Sequence, residues 1–340
     1  MGNPRSKSMA SNFAGGRPAN ETAVLNEEQG ASGAKLRAWL AAGRRRQQAS
    51  CVPSSLPAAV PRAAGRFRRE IRCRFLFGAV ADLGEDNNLM QAAKLVELLG
   101  ESSQILFFTG AGISTGSGIP DFRGPDGVWK YRQPVYYHDF MRSEAARIEH
   151  WDFKLEGWEA FRTARPNAVH EAIVRLERAG KVRAVVTQNI DGLHARAGTA
   201  AGLLIELHGT NRLIECQTCG RRSEPEAHFE YFRKTRRPPV CECGGFLKPA
   251  TISFGQNLRI EDLERAEDMA QGADLVVALG STLSVHPAAD IPLLAARRGA
   301  PYVIINRGPT EHDEMPEVTL RIEGDVGEIF PPAVAEALKV

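Results

Sequence analysis

Gly110 to Arg123 reads GAGISTGSGIPDFR. It follows the apolar run Ile105-Leu106-Phe107-Phe108-Thr109, which reads as a buried strand. The run breaks into four glycines, Gly110, Gly112, Gly116 and Gly118. Glycine turns tightly and lets a ligand approach backbone N–H groups. A strand emptying into such a loop can cradle a pyrophosphate. The spacing is G-x-G-x-x-x-G, one residue longer than the dehydrogenase fingerprint, and no clear second strand ending in a ribose-binding acid follows. Instead Asp121, Phe122 and Arg123 sit inside the loop. A flexible linker is the competing reading, but a linker would not follow a buried strand or carry that cluster.

Outward from this loop, the chain alternates strands and helices. Asp86 to Leu99 carries Leu89, Ala92, Val96 and Leu99 on a helical stripe that Gly100 is expected to end. Pro166 opens another helix, with Val169, Ile173 and Leu176 on one face. The runs 182–187, 203–207, 275–279, 302–305 and 318–322 read as strands, each ending in polar residues or glycine. Strand–helix–strand alternation implies a parallel sheet, and ligands of open α/β sheets bind beyond the strands' carboxyl ends. The end clusters Gln188-Asn189-Ile190-Asp191, His208-Gly209, Gly280-Ser281-Thr282, Asn306 and Gly324-Asp325-Val326 should therefore converge on one crevice. Residues 124–165 lack a strand pattern and read as a helical insertion, with Trp129, Trp151 and Trp158 mostly as core.

Cys216-x-x-Cys219 and Cys241-x-Cys243 can supply four thiolates to one Zn²⁺, leaving no open position, so the site should be structural. The intervening segment with Arg233-Lys234 and Arg236-Arg237 reads as a loop off a zinc ribbon. Cys51 and Cys73 stand singly and carry no assignment.

The net charge of +2 conceals an asymmetry. Residues 1–80 hold fourteen Lys/Arg against four Glu; residues 81–340 hold 29 basic against 37 acidic. The first 82 residues read as a disordered basic extension. A solvated tail is favoured over a transit peptide or an acidic-partner arm. No apolar run reaches the roughly 18 residues of a bilayer span, and no secretory signal is evident. Paired cysteines fit a reducing compartment, so a cytoplasmic location is expected, or a mitochondrial one if the tail is a transit peptide.

The ordered set GAGISTGSGIPDFR, TQNIDGLH, HG, two cysteine pairs, ISFG, GSTLSVHP and GDVG resembles the sirtuins, NAD-dependent protein deacylases, over roughly residues 84–340. That resemblance implies an α/β fold. A Rossmann-like parallel-sheet domain would span 83–123, 166–214 and 248–340. A smaller inserted domain would combine a helical part, 124–165, with a zinc ribbon, 215–247. NAD and an acyl-lysine protein meet between them. Nicotinamide leaves as the acyl oxygen attacks C1′, and ribose hydroxyls and water complete the transfer.

By motif, His208 is the general base, and histidine suits that role because its ordinary pKa lies near operating pH. Asn189 and Asp191 match the nicotinamide-pocket pair, and Gln188 the ribose contact. Phe122 shields the anomeric face and Arg123 orders the loop. Gly110, Ala111, Gly112, Ser114, Asp121, Gly280, Ser281 and Thr282 belong with the cofactor, and Asn306 and Val326 lie toward the adenosine. Ile252, Phe254 and Gly255 match the strand that pairs with the substrate backbone. Gln256 stands where many sirtuins carry glutamate, which weakens a preference for basic peptides. The tyrosine and arginine that mark desuccinylases are not evident in 145–160, which argues against dicarboxylic acyl groups. A monomer is expected, with no membrane association and no nucleic-acid role for the core. Protein mono-ADP-ribosyl transfer is the alternative on the same scaffold. A non-catalytic NAD sensor and a dehydrogenase are weaker readings.

Overall fold

The computed structural model describes residues 89–124 and 127–339. The expected basic extension, and the first residues of the helix expected from Asp86, lie outside the described residues.

Six strands form one parallel sheet: β1 (Ile105–Thr109), β2 (Val182–Thr187), β3 (Leu204–Glu206), β7 (Leu275–Leu279), β8 (Tyr302–Asn306) and β9 (Leu320–Glu323). Their order is β3-β2-β1-β7-β8-β9. β1, β7 and β8 are buried at every position, as their unbroken apolar runs require in a sheet covered on both faces. One face is covered by the helix of residues 89–101 (α1), by α4 (Ala168–Arg178) and by α9 (Val326–Ala337). Phe107 meets Phe330 there edge-on, with ring centroids 5.6 Å apart. The other face is covered by α7 (Ile260–Gln271) and α8 (Asp290–Ala296) through Ala266, Ala270, Ile291 and Leu293.

A second, antiparallel sheet has the order β5-β4-β6, from Arg222–Ser223, Gly209–Cys216 and Leu247–Thr251. It packs against α3 (Glu144–Thr163) and α6 (Glu226–Thr235) around Trp151, Trp158, Ile214, Phe229, Phe232 and Leu247. Trp158 stacks on Phe229 at 4.4 Å, and Trp151 Nε1 donates to the Leu247 carbonyl at 3.0 Å, so both large rings are buried and the Trp151 indole donor is satisfied. The short helices α2 (Tyr137–Arg142) and α5 (Leu193–Ala197) lie beside these layers.

Several sequence expectations are corrected. Gly100 does not end α1, which runs on through Glu101. Its buried stripe is Leu95, Leu98 and Leu99, while Leu89 and Ala92 face solvent. The apolar spacing fits both stripes, and packing selects the one nearer the sheet. α4 begins at Ala168 rather than Pro166, because Asn167 caps it by accepting from Val169 N at 3.0 Å. The segment between the cysteine pairs is not a loop. It contains α6, whose Phe229 and Phe232 are buried while Arg233 and Lys234 face outward. β9 starts at Leu320, two residues later than the apolar run suggests.

Candidate active site

β1 sits between β2 and β7, so the sheet order reverses at β1 and a crevice opens beyond its carboxyl end. Two glycine turns meet there. Gly112 N donates to Gly280 O at 2.8 Å, and a Cβ on Gly110 would lie 2.6 Å from that same oxygen. Gly280 has φ +62°, so a side chain would be strained there as well as crowded. These glycines let the loops after β1 and β7 close against each other and form the floor of a cavity of about 840 Å³. That volume lies within the roughly 300–1,000 Å³ usual for ligand pockets.

The cavity gathers most of the residues singled out from the sequence. Gly110, Ala111, Gly112, Asp121, Phe122, Arg123, Gln188, Asn189, His208, Ile252, Phe254, Gly255, Gly280, Ser281, Thr282, Asn306 and Val326 all line it. Ser114 and Asp191 do not. They stand behind its wall, where Ser114 Oγ donates to Asp191 Oδ2 at 2.7 Å. Asn189 links that pair to the cavity, its Nδ2 donating to Gly110 O at 3.1 Å and lying 3.2 Å from Ser114 Oγ. Asp191 also accepts from Leu193 N at 2.8 Å. Burial raises its carboxyl above the usual range, and these two hydrogen bonds oppose the rise. Gln188 Nε2 donates to Ser281 Oγ at 2.8 Å and so spans the two sides of the switch point.

His208 lies where the chain leaves the parallel sheet for the second one. Leu207 N still donates to Thr187 O at 3.0 Å, while His208 O accepts from Ile252 N at 2.8 Å. Gly209 has φ +70°, and a Cβ there would fall 2.1 Å from Ala250 O, so only glycine lets the two strands cross so closely. His208 Nδ1 is 3.1 Å from the Gln188 carbonyl. A carbonyl only accepts, so Nδ1 carries the proton and Nε2 keeps its lone pair. Burial lowers the His208 pKa; the Gln188 bond opposes this and the nearby Arg123 guanidinium adds to it. The ring is therefore neutral at neutral pH and able to accept a proton.

Aromatic side chains wall the opposite side. Phe122 stacks on Trp129 at 5.3 Å, Trp129 meets Phe254 edge-on at 6.0 Å, and the Arg123 guanidinium lies 5.8 Å above the Phe254 ring. Trp129 was expected in the core and instead lines the cavity. Its place two residues after the turn-forming sequence Gly124-Pro125-Asp126-Gly127, close to the glycine loop, was the available signal. Asp325, from one of the strand-end clusters expected to meet here, pairs with Arg307 at 2.5 Å on the cavity wall and also caps α9.

Behind the site runs a buried polar column. Asn189 N donates to Thr187 Oγ1 at 3.0 Å, Thr109 Oγ1 donates to Thr187 Oγ1 at 2.8 Å, and Thr109 Oγ1 lies 2.9 Å from His194 Nε2. The His194 ring is 4.9 Å from that of His170, which neighbours Asn167. Burial pushes His170 down to about 4 and His194 well below its ordinary value. Both are therefore neutral when folded and titrate near 6.5 when unfolded. The unfolded chain binds more protons below that value, so their stabilisation is complete above pH 6.5 and is lost as pH falls toward 4. At pH 5 His170 alone is expected to remove about 2 kcal/mol. Guanidinium denaturation at pH 7.5 and pH 5 checks this, and an unchanged midpoint would refute it.

The four cysteines converge at one end of the second sheet. The Sγ atoms of Cys216, Cys219, Cys241 and Cys243 all lie within 4.8 Å of one another, with Cys216–Cys243 at 3.5 Å and Cys219–Cys241 at 3.9 Å. Tetrahedral zinc with Zn–S bonds of about 2.3 Å places its sulfurs roughly 3.8 Å apart, so the donors fit. Thr218 N points at Cys216 Sγ from 3.4 Å, the kind of N–H contact that supports a metal thiolate. Among the described residues no helix is long and apolar enough to cross a membrane.

A model of the Sir2 family matches residues 110–287. An NAD-dependent protein deacetylase of Rhodopseudomonas palustris is 44% identical over 242 residues, covering 71% of this chain and 95% of that protein. One from Sulfurisphaera tokodaii is 39% identical over 258 residues, covering 74% and 97%. Among solved structures, a Sir2 with deacetylated p53 peptide and 3′-O-acetyl ADP ribose is 39% identical with TM-score 0.66, covering 72% of this chain and 98% of that one. A Sir2–p53 peptide–NAD⁺ structure is 38% identical with TM-score 0.65, covering 73% and 98%.

Proposed function

The chain belongs to the Sir2 family, and from that premise we propose that it is an NAD-dependent protein lysine deacetylase. The products are nicotinamide, O-acyl-ADP-ribose and free lysine. NAD supplies the ADP-ribosyl acceptor for the acyl group, and one zinc, held by Cys216, Cys219, Cys241 and Cys243, is structural. The observation that carries the reading is the meeting, in one cavity, of a neutral histidine with a free Nε2, a glycine cradle and a ledge at 252–255, which is not the strand expected from the sequence but the segment running on from the end of β6 into a turn.

The protein's own groups divide the work. His208 Nε2 takes a proton from a ribose hydroxyl, its ring held by the Gln188 carbonyl so that the lone pair is available. Asn189 orients the ligand end nearest Ser114 and Asp191, whose mutual hydrogen bond fixes that corner. Phe122, packed on Trp129, excludes water from the reacting carbon. The glycine turns at 110–112 and 280–281 take the phosphates against backbone N–H groups, and Asn306 and Val326 border the adenosine end. Ile252, Phe254 and Gly255 pair with the substrate backbone. Phe254 O already accepts from Tyr137 N at 2.8 Å, so pairing at this ledge uses the remaining groups.

The test is incubation of the full chain with an acetyl-lysine peptide and NAD, with mass spectrometry of all products. Deacetylated peptide, nicotinamide and O-acetyl-ADP-ribose in equal amounts are expected. ADP-ribosylated protein with an unchanged peptide, or NADH absorbance, would overturn the reading.

A further inference from the structure

The active-site cavity does not end at the ledge. Beyond Gly255 it continues over Leu258, Ile260, Leu263 and Val285. Leu258 and Leu263 are half-buried, with their inner sides against the core of the main sheet. Ile260 is different, with 57% of its surface exposed. It is the first residue of α7, three before Leu263 and six before buried Ala266. It therefore continues the helix's apolar stripe past the point where the protein body covers it. A single exposed isoleucine needs no explanation. One that extends a core stripe onto the wall of the substrate cavity does.

The polar groups around this shelf are mostly committed elsewhere. Gln256 turns its side chain back on its own turn, its Oε1 accepting from Ser253 N at 3.1 Å. Arg259 is held by Glu215 at 2.6 Å. His286 is flanked by Asp290 at 3.1 Å and Glu311 at 3.7 Å. Gln256 and Arg259 are thus tied inward, and apart from exposed Asn257 the wall from Leu258 onward offers mainly apolar side chains.

We propose that Leu258, Ile260, Leu263 and Val285 form a seat for a large aliphatic or aromatic side chain of the substrate protein, within two residues of the acyl-lysine. A substrate strand on the ledge advances about 3.3 Å per residue, so a neighbouring side chain is carried toward this continuation of the cavity. The proposal rests on the deacetylase reading above and concerns which proteins that site accepts.

The experiment uses the full chain with acetyl-lysine peptides carrying leucine, alanine or aspartate at each of the two positions on either side. At one position leucine should raise kcat/KM about five- to tenfold over alanine, within the range set by one apolar group in a pocket. Ile260→Asp should bring that ratio close to one, and Ile260→Leu should keep it. A ratio within one enzyme is insensitive to the fraction folded. Equal turnover of all peptides by the wild type, or a ratio that survives Ile260→Asp, would overturn the seat alone. A wild type that deacetylates no peptide would overturn the deacetylase reading instead.

Discussion

His208→Ala is expected to lower acetyl-peptide turnover about a thousandfold, with the fold intact and NAD still bound. General-base catalysis is worth 10²–10⁴-fold, and the other histidine among the described cavity residues, His286, is engaged by Asp290 and Glu311. The position also predicts the pH profile. The base works only when deprotonated, so activity falls as pH drops through its pKa. Burial and Arg123 lower that pKa, so the acid limb should lie below the 6.5 of a free histidine. His208→Asn can keep the hydrogen bond to the Gln188 carbonyl and should fail equally, which separates loss of the base from loss of packing. Near-normal turnover by either variant, checked by product mass spectrometry beside circular dichroism, would remove His208 from the mechanism.

Removing the zinc should be almost as damaging for a different reason. The four cysteines join the end of β4 to the turn before β6, and Cys216 is itself packed with Trp151, Phe229 and Leu247. Without the ion, four thiols are left crowded together and a small sheet with a modest core loses its closure. Structural zinc sites in small modules contribute about 10–16 kcal/mol to folding. Even a third of that would lower the melting temperature by roughly 10 °C in a chain of this size. Because β4 starts at Gly209 and β6 leads into Ile252, turnover should vanish together with the small sheet's structure. Cys216→Ser with metal analysis and calorimetry tests this, with about one zinc per chain expected in the parent. Unchanged melting and activity in metal-free protein would refute it.

Much of this was legible in the chain because it rests on local rules. Unbroken apolar runs such as Leu275–Leu279 can only be central parallel strands, and their polar ends mark the crevice. Paired cysteines announce a metal whatever folds between them. What escaped depended on tertiary choice. The stripe of α1 could be drawn through Leu89 or through Leu95, and only contact with α9 and the sheet decides. α6 was hidden because its helical face needs just Phe229 and Phe232, too few for a clear period among charged residues. Asp191 was legible as part of a pocket corner, but its place behind the cavity wall follows from Ser114 turning toward it. Ile260 gave no signal, since exposure is not written in a sequence.

The crossing of the two sheets has a mechanical consequence. The main chain passes between them at 207–209 and again at 251–253, and the passages are bonded together by Ile252 N to His208 O and by the Gly209–Thr251 pairing. They work as a single rivet. If the zinc-bearing end swings to admit or release a ligand, it pivots about that rivet. The distance from His208 to the 252–255 segment then stays constant. Such a machine can tolerate a wide gape without losing the alignment of its working edge.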